Sequence, residues 1–173
     1  MENDLHINKK KPRKFTELTP MEVLALAIQI EEANVRRFTA FAVTFRGYDN
    51  EVMARFVELS TEEEKHAEQL LAIFKKRFGD QIPVIDEWDV DLVIESMDLD
   101  DSEHLIFDSL KPRQVYELAL KCEMGAKKFY LQAAATTKDE ELKKVFHDLS
   151  EAEGDHADWL CKRLEEMEKT GGR

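Results

Sequence analysis

The stretch "DLSEAEGDHADWL", Asp148 to Leu160, restates an earlier one, "ELSTEEEKHAEQL", Glu58 to Leu70. With His156 laid on His66, the residues Leu149, Ser150, Glu153, His156, Ala157 and Leu160 meet Leu59, Ser60, Glu63, His66, Ala67 and Leu70. Farther upstream "ALKCEMGAKKFY" falls on "AIQIEEANVRRF", which places Glu123 on Glu31 and Tyr130 on Phe38. The two registers differ by only two residues, a difference that a turn absorbs. The chain reads as one helical unit used twice.

Only six glycines and four prolines interrupt 173 residues, and apolar side chains recur at spacings of three and four, so the units are helical. Thr19-Pro20-Met21-Glu22 is a capping box with proline at the first helical position. The helix it opens runs to about Arg46, where "RGYDN" turns the chain. A second spans Glu51 to Phe78 and stops at Gly79-Asp80; a third runs from Pro112 to Thr136. Thr137-Lys138-Asp139-Glu140 reads as another capping box, opening a fourth helix that fades before Gly171. Two short turns and one long connection, Ile82 to Lys111, predict an all-α four-helix bundle: two helical hairpins joined by a crossover, with the second and third helices parallel. Residues 1–18 form a basic N-terminal arm, 19–168 the bundle and 169–173 a tail. The crossover is rich in acids and lacks Lys and Arg from Asp86 to Asp108; its apolar residues suggest short helical pieces lying on the bundle, under a solvated or cation-collecting face.

Three residues along a helix rotate by about 300°, so a Glu and a His at that spacing point the same way, one turn apart. Each half supplies one such pair, Glu63 with His66 and Glu153 with His156, and one further acid in an apolar stripe, Glu31 or Glu123. Four carboxylates meeting inside a bundle repel one another and take up protons unless cations neutralise them. Two divalent ions match the charge. Carboxylate-rich donors with one imidazole per ion suit iron first, with manganese or zinc as possible substitutes. Gly154, between the last two ligand candidates, leaves space for another group to approach the helix.

Other features exclude function classes. The net charge of −12, from 37 acids and 25 bases, disfavours nucleic acid; "KKKPRK", Lys9 to Lys14, reads as a solvated arm. No apolar run is long enough to span a bilayer and no secretory signal is visible, which predicts a cytoplasmic protein with no membrane partner. Cys122 and Cys161 form no paired Cys-x-x-Cys set and are expected as reduced, buried thiols. His6, His104 and His147 lack a Glu at the ligand spacing and read as surface residues, and the methionines read as packing rather than as ligands of a haem.

The set of one Glu and one Glu-x-x-His per half is that of ferritin-like di-iron carboxylate proteins, and the chain from Thr19 to Glu168 resembles their rubrerythrin branch. "EEANVRRFTAFA", Glu31 to Ala42, looks like the first ligand helix of that family and "LSEAEGDHADWL" like its last. The resemblance implies Glu31, Glu63, His66, Glu123, Glu153 and His156 as ligands of two iron ions, with the Glu-x-x-His glutamates as the usual bridges. "IPVIDEWDVDLVI" and "CEMGAKKFYLQAA" are also similar to the ferritin-like domain of erythrin and vacuolar iron transporter fusion proteins, which leaves open a stand-alone relative or a piece of a longer membrane protein. The implied activity is that of a di-iron oxidoreductase in iron handling or oxidative-stress defence: a ferroxidase, or a peroxidase reducing peroxide or dioxygen. The alternative is a non-catalytic iron-binding or sensing module. Tyr130 is the candidate catalytic side chain, hydrogen-bonded to a ligand carboxylate; a core tyrosine with a satisfied hydroxyl is the other reading, and Phe38 cannot act in the same way. The chain has no rubredoxin-like cysteine set, so a peroxidase cycle requires an external electron donor. The family expectation is a homodimer. Rubrerythrins resembling this chain carry an extra Glu three residues after the third-helix ligand, where Ala126 stands here. Alanine has no donor atom, which predicts a symmetric site in which His66 and His156 each keep their own ion, closer to a ferroxidase centre.

Overall fold

The computed structural model describes residues 13–85, 90–91 and 111–169. Four helices make up almost all of it: α1, Pro20–Phe45; α2, Asn50–Phe78; α3, Pro112–Thr136; and α4, Glu140–Lys169. Their ends are set by local chemistry. Thr19 Oγ1 accepts the Glu22 N–H at 3.2 Å while the Glu22 carboxylate accepts the Thr19 N–H at 2.9 Å, the reciprocal cap expected there. Asp49 caps α2 by accepting the Val52 N–H at 3.0 Å, and Gly79 ends it at φ +85°, a conformation that favours glycine. The expected cap on the last helix is displaced. Asp139, not Thr137, accepts the Leu142 N–H at 3.0 Å, and the Thr137 hydroxyl instead accepts the Asp139 N–H at 3.2 Å. A carboxylate is the better acceptor at a helix N-terminus, so α4 begins at Glu140.

α1 packs along α2, α3 along α4, and α1 against α3. One apolar cluster joins Val23 to Ile30 of α1, Leu70 and Phe74 of α2, Ala126 to Ala134 of α3 and Leu142 to Leu149 of α4. The other joins Phe38 to Phe45 of α1, Val52 to Leu59 of α2, Val115 to Ala119 of α3 and Leu160 of α4. Each cluster thus takes the same end of α2 and α3, so these two helices run parallel, as the two short turns and one long connection predict. Arg77, in the last turn of α2, ties that end to the start of α4 through Asp139 at 2.5 Å and Glu141 at 2.6 Å.

The bundle begins earlier than the arm assigned to residues 1–18 allows. Phe15, in a 3-10 turn over Phe15–Glu17, is buried and meets Phe129 edge-on, with centroids 5.6 Å apart. The two residues before it, Arg13–Lys14, pair in parallel with Val90–Asp91 of the crossover. Where the crossover leaves α2, the Gln29 side chain both donates to the Ile85 carbonyl and accepts its N–H, each at 3.1 Å. The short helical pieces and acidic face expected beyond it lie outside the described residues, as do most of the arm and tail. Cys122 is buried, but Cys161 is exposed on the outer face of α4, contrary to the expectation of two buried thiols. His147 is exposed; His6 and His104 lie outside the described residues. Among the described residues no helix is long and apolar enough to cross a membrane.

Replacing Phe15 with Ala is expected to destabilise the protein by about 3 kcal/mol, read from the midpoint of chemical denaturation. An unchanged midpoint would return residues 13–18 to a solvated arm.

Candidate metal centre

Between the two apolar clusters the bundle turns polar. α1 brings Glu31, α2 brings Glu63 and His66, α3 brings Glu123, and α4 brings Glu153 and His156; all four glutamates are fully buried. Their donor atoms form two groups, each within 4.8 Å: Glu31, Glu63, His66 and Glu153 in one, Glu63, Glu123, Glu153 and His156 in the other. Glu63 and Glu153 belong to both. The imidazoles face each other across the centre, their rings 6.3 Å apart and 20° from parallel. His66 Nδ1 lies 3.4 Å from Glu153 Oε1, 3.7 Å from Glu31 Oε2 and 3.9 Å from Glu63 Oε1. His156 Nδ1 lies 3.2 Å from Glu63 Oε1, 3.4 Å from Glu123 Oε1 and 4.0 Å from Glu153 Oε2. Glu153 therefore turns one oxygen toward each histidine, the disposition of a bridge.

The donor set fits cations. Glu31 Oε2, Glu63 Oε1, both oxygens of Glu123 and of Glu153, and the Nδ1 atoms of both histidines are buried with no hydrogen-bond partner. Such groups cost free energy wherever nothing meets them. Without a metal, protons act as the counter-charge. Burial raises Glu31 to about 8 against the pull of His66, and burial with neighbouring acids carries Glu123 and Glu153 well above the carboxylate range. Burial also disfavours a charged Glu63, yet His156 holds it below its ordinary value. For the imidazoles burial works against protonation, but the carboxylates outweigh it: Glu153 and Glu31 hold His66 up to about 10, and Glu63 with Glu153 holds His156 up to about 9.

Tyr130 is where its place in the repeat puts it, fully buried with its hydroxyl donating to Glu31 Oε1. Burial and that carboxylate raise it far above the usual phenol range, so it stays a donor. Its counterpart Phe38 is buried in the other apolar cluster and has no hydroxyl. Sequence reasoning missed three further polar residues. Asn34, buried, donates to Glu63 Oε2 at 3.4 Å, and its own oxygen accepts from Arg37 at 3.3 Å; an amide three residues after Glu31 on the apolar stripe was the available signal. Glu62 accepts from His156 Nε2 at 2.7 Å; it stands in "TEEEKH" as one of three consecutive acids and carries no signal of its own. The space at Gly154 is filled by Lys127, whose Nζ would lie 2.9 Å from a Cβ added there.

The family model described as rubrerythrin matches residues 22–97 and 115–172. The fold is similar to the crystal structure of an uncharacterized conserved protein from Magnetospirillum magnetotacticum, with a TM-score of 0.68, 21% identity, and coverage of 86% of this chain and 95% of that one. It is also similar to a Rhodobacter capsulatus bacterioferritin with a metal-free dinuclear site and a haem iron, with a TM-score of 0.66, 21% identity, and coverage of 86% and 85%. No curated protein matches the chain.

Two predictions follow from these surroundings. The metal-free folded chain holds protons on buried acids that the unfolded chain releases near 4.5, and on imidazoles that the unfolded chain releases near 6.5. From about pH 4.5, below which the lowered Glu63 gives the opposite slope, up to about pH 10 it binds more protons than the unfolded state, so its stability falls as pH rises through that window. Thermal melts of metal-free protein between about pH 5 and 10 are expected to show a falling midpoint that divalent ions restore; a midpoint that rises across that range would overturn the proton assignment. Replacing Gly154 with Ala displaces only the flexible end of Lys127 and is expected to stabilise α4 by up to about 1 kcal/mol; a loss on that scale would show that Lys127 cannot yield.

Proposed function

The chain belongs to the rubrerythrin family, and on that premise we propose that it is a non-haem di-iron oxidoreductase that oxidises ferrous iron with dioxygen or peroxide. The observation that carries this reading is the pair of overlapping donor groups, fully buried and sharing Glu63 and Glu153. Glu63, Glu123, Glu153 and His156 would hold one ion; Glu31, Glu63, Glu153 and His66 would hold the other. A bound pair of iron ions supplies redox equivalents beside an oxidant and Lewis acidity for its developing negative charge.

The residues around the pair do the rest. Glu63 and Glu153 would set the separation of the two positions, because each faces both histidines. Tyr130 holds one oxygen of Glu31, leaving Oε2 toward the centre, and is a proton donor directly adjoining the ligand set. The side chains of Phe38, Phe41 and Phe56 on one side, and of Leu70 and Phe129 on the other, exclude water along the bundle axis. With ferrous iron as the substrate, two ions give one electron each, and a peroxide takes both electrons and two protons to become two waters.

Ferrous iron is favoured over peroxide as the characteristic substrate because of α3. Ala126 is buried there and offers no donor three residues after Glu123, so that position provides no alternative ligand when the charge of an ion changes. Sustained peroxide reduction would in addition need electrons from outside the chain.

Changing Glu63 and Glu153 together to Ala is expected to abolish binding of two Fe(II) per chain under nitrogen while leaving the helical circular dichroism largely intact; wild-type stoichiometry in that variant would overturn the ligand assignment. Rapid mixing of Fe(II)-loaded protein with equal dioxygen or peroxide is expected to give comparable oxidation rates and turnover of added Fe(II). A peroxide rate higher by orders of magnitude would favour a peroxidase, and the absence of turnover with either oxidant a binding or sensing module.

A further inference from the structure

The six converging side chains obey the repeat, but their surroundings do not. On α2, Glu62 precedes Glu63 and reaches across to α4, where its Oε2 lies 2.7 Å from His156 Nε2. With the Glu62 oxygen accepting from Nε2, the Nδ1 of His156 is the nitrogen that faces Glu63 and Glu123. Glu62 is itself backed: Arg55 Nη1 lies 3.4 Å from its other oxygen and 3.1 Å from Glu58, with the guanidinium stacked 5.6 Å from the Trp159 ring. The same register in the second half puts Ala152 opposite Glu62, Val145 opposite Arg55 and Gln69 opposite Trp159. Among the described residues nothing meets His66 Nε2, and the His66 side chain is 18% exposed against 6% for His156.

We propose that Glu62 is a positioning residue that makes the two metal positions unequal: the ion on His156 is the tightly held, first-filled one, and the ion on His66 is the exchangeable one. The proposal rests on the metal-binding reading above and departs from the symmetric site expected from Ala126. A carboxylate on the far nitrogen of a ligating imidazole fixes its tautomer and ring plane and strengthens the other nitrogen as a donor, an effect worth about 10- to 100-fold in metal affinity. His156 has that support and His66 does not. The exchangeable position is then the one through which a ferrous substrate would enter and leave.

The test is the order of filling, read at each histidine. Two-bond proton–nitrogen spectra of 15N-histidine protein titrated with Zn(II) report which Nδ1 binds, with resonances assigned from His66→Ala and His156→Ala. The first equivalent is expected to shift His156 and leave His66 until the second. Glu62→Ala is expected to weaken binding at His156 by about 10- to 100-fold and remove the preference, while Glu62→Gln, which keeps an acceptor, restores part of it. Ala152→Glu is expected to tighten binding at His66 and bring the two steps together. A first equivalent shared evenly or taken by His66, or an order unchanged in Glu62→Ala, would overturn the proposal. Protein that binds no Zn(II) or Fe(II) would overturn it together with the functional reading. Ordered filling in protein that oxidises no iron would overturn the functional reading alone.

Discussion

Everything in this bundle is arranged around the cost of placing four carboxylates in its interior. Charges removed from water lose several kcal/mol of solvation each, and four of one sign add repulsion to that loss. The chain tolerates them because two imidazoles and a phenol come from the same helices, and because the centre lies between two apolar layers that hold the helices together without it. Those layers make the arrangement possible: the stripes of α1 and α3 pass from aliphatic and aromatic side chains to a single acid and back again. A bundle with one continuous layer would gain stability and lose the cavity of charge in which cations can replace protons.

Much of this was legible in the chain because the physical signals are local or repeated. Thr19-Pro20 and Gly79 end helices through their own backbone chemistry, and the doubled Glu-x-x-His fixes which faces of α2 and α4 turn inward. What escaped depends on neighbours far along the chain. Phe15 sits in a basic run, and only the arrival of Phe129 from α3 makes it a core residue. Asp139 and Thr137 are both plausible caps, and Arg77 from α2 adds to the preference for the carboxylate. Glu62, Glu63 and Glu64 differ by about 100° steps around one helix; the distinction between a buried bridge, a brace for His156 and a solvated acid needs the position of α4.

The polar supports divide between the halves in a crossed pattern. Tyr130, from the second hairpin, holds Glu31 of the first; Glu62, from the first, holds His156 of the second. Among the described residues Glu123 and His66, the counterparts, have no such hydrogen bond. Each candidate metal position therefore has one ligand braced by a hydrogen bond, but of opposite kinds: the carboxylate of Glu31 beside His66, and the imidazole of His156 beside Glu123. Rigidity and adaptability are distributed over both positions.

Two separate copies of such a hairpin would build the same centre about a true twofold axis, and every side chain would then act twice. A Glu62 that braced one imidazole would brace both, and a Tyr130 on one carboxylate would have a twin on the other. The crossover between α2 and α3 removes that obligation. It makes assembly of the centre unimolecular, independent of protein concentration, and lets a substitution such as Ala152 or Phe38 fall on one half only. Covalent linkage of the hairpins is thus what permits unlike positions within a nearly twofold frame.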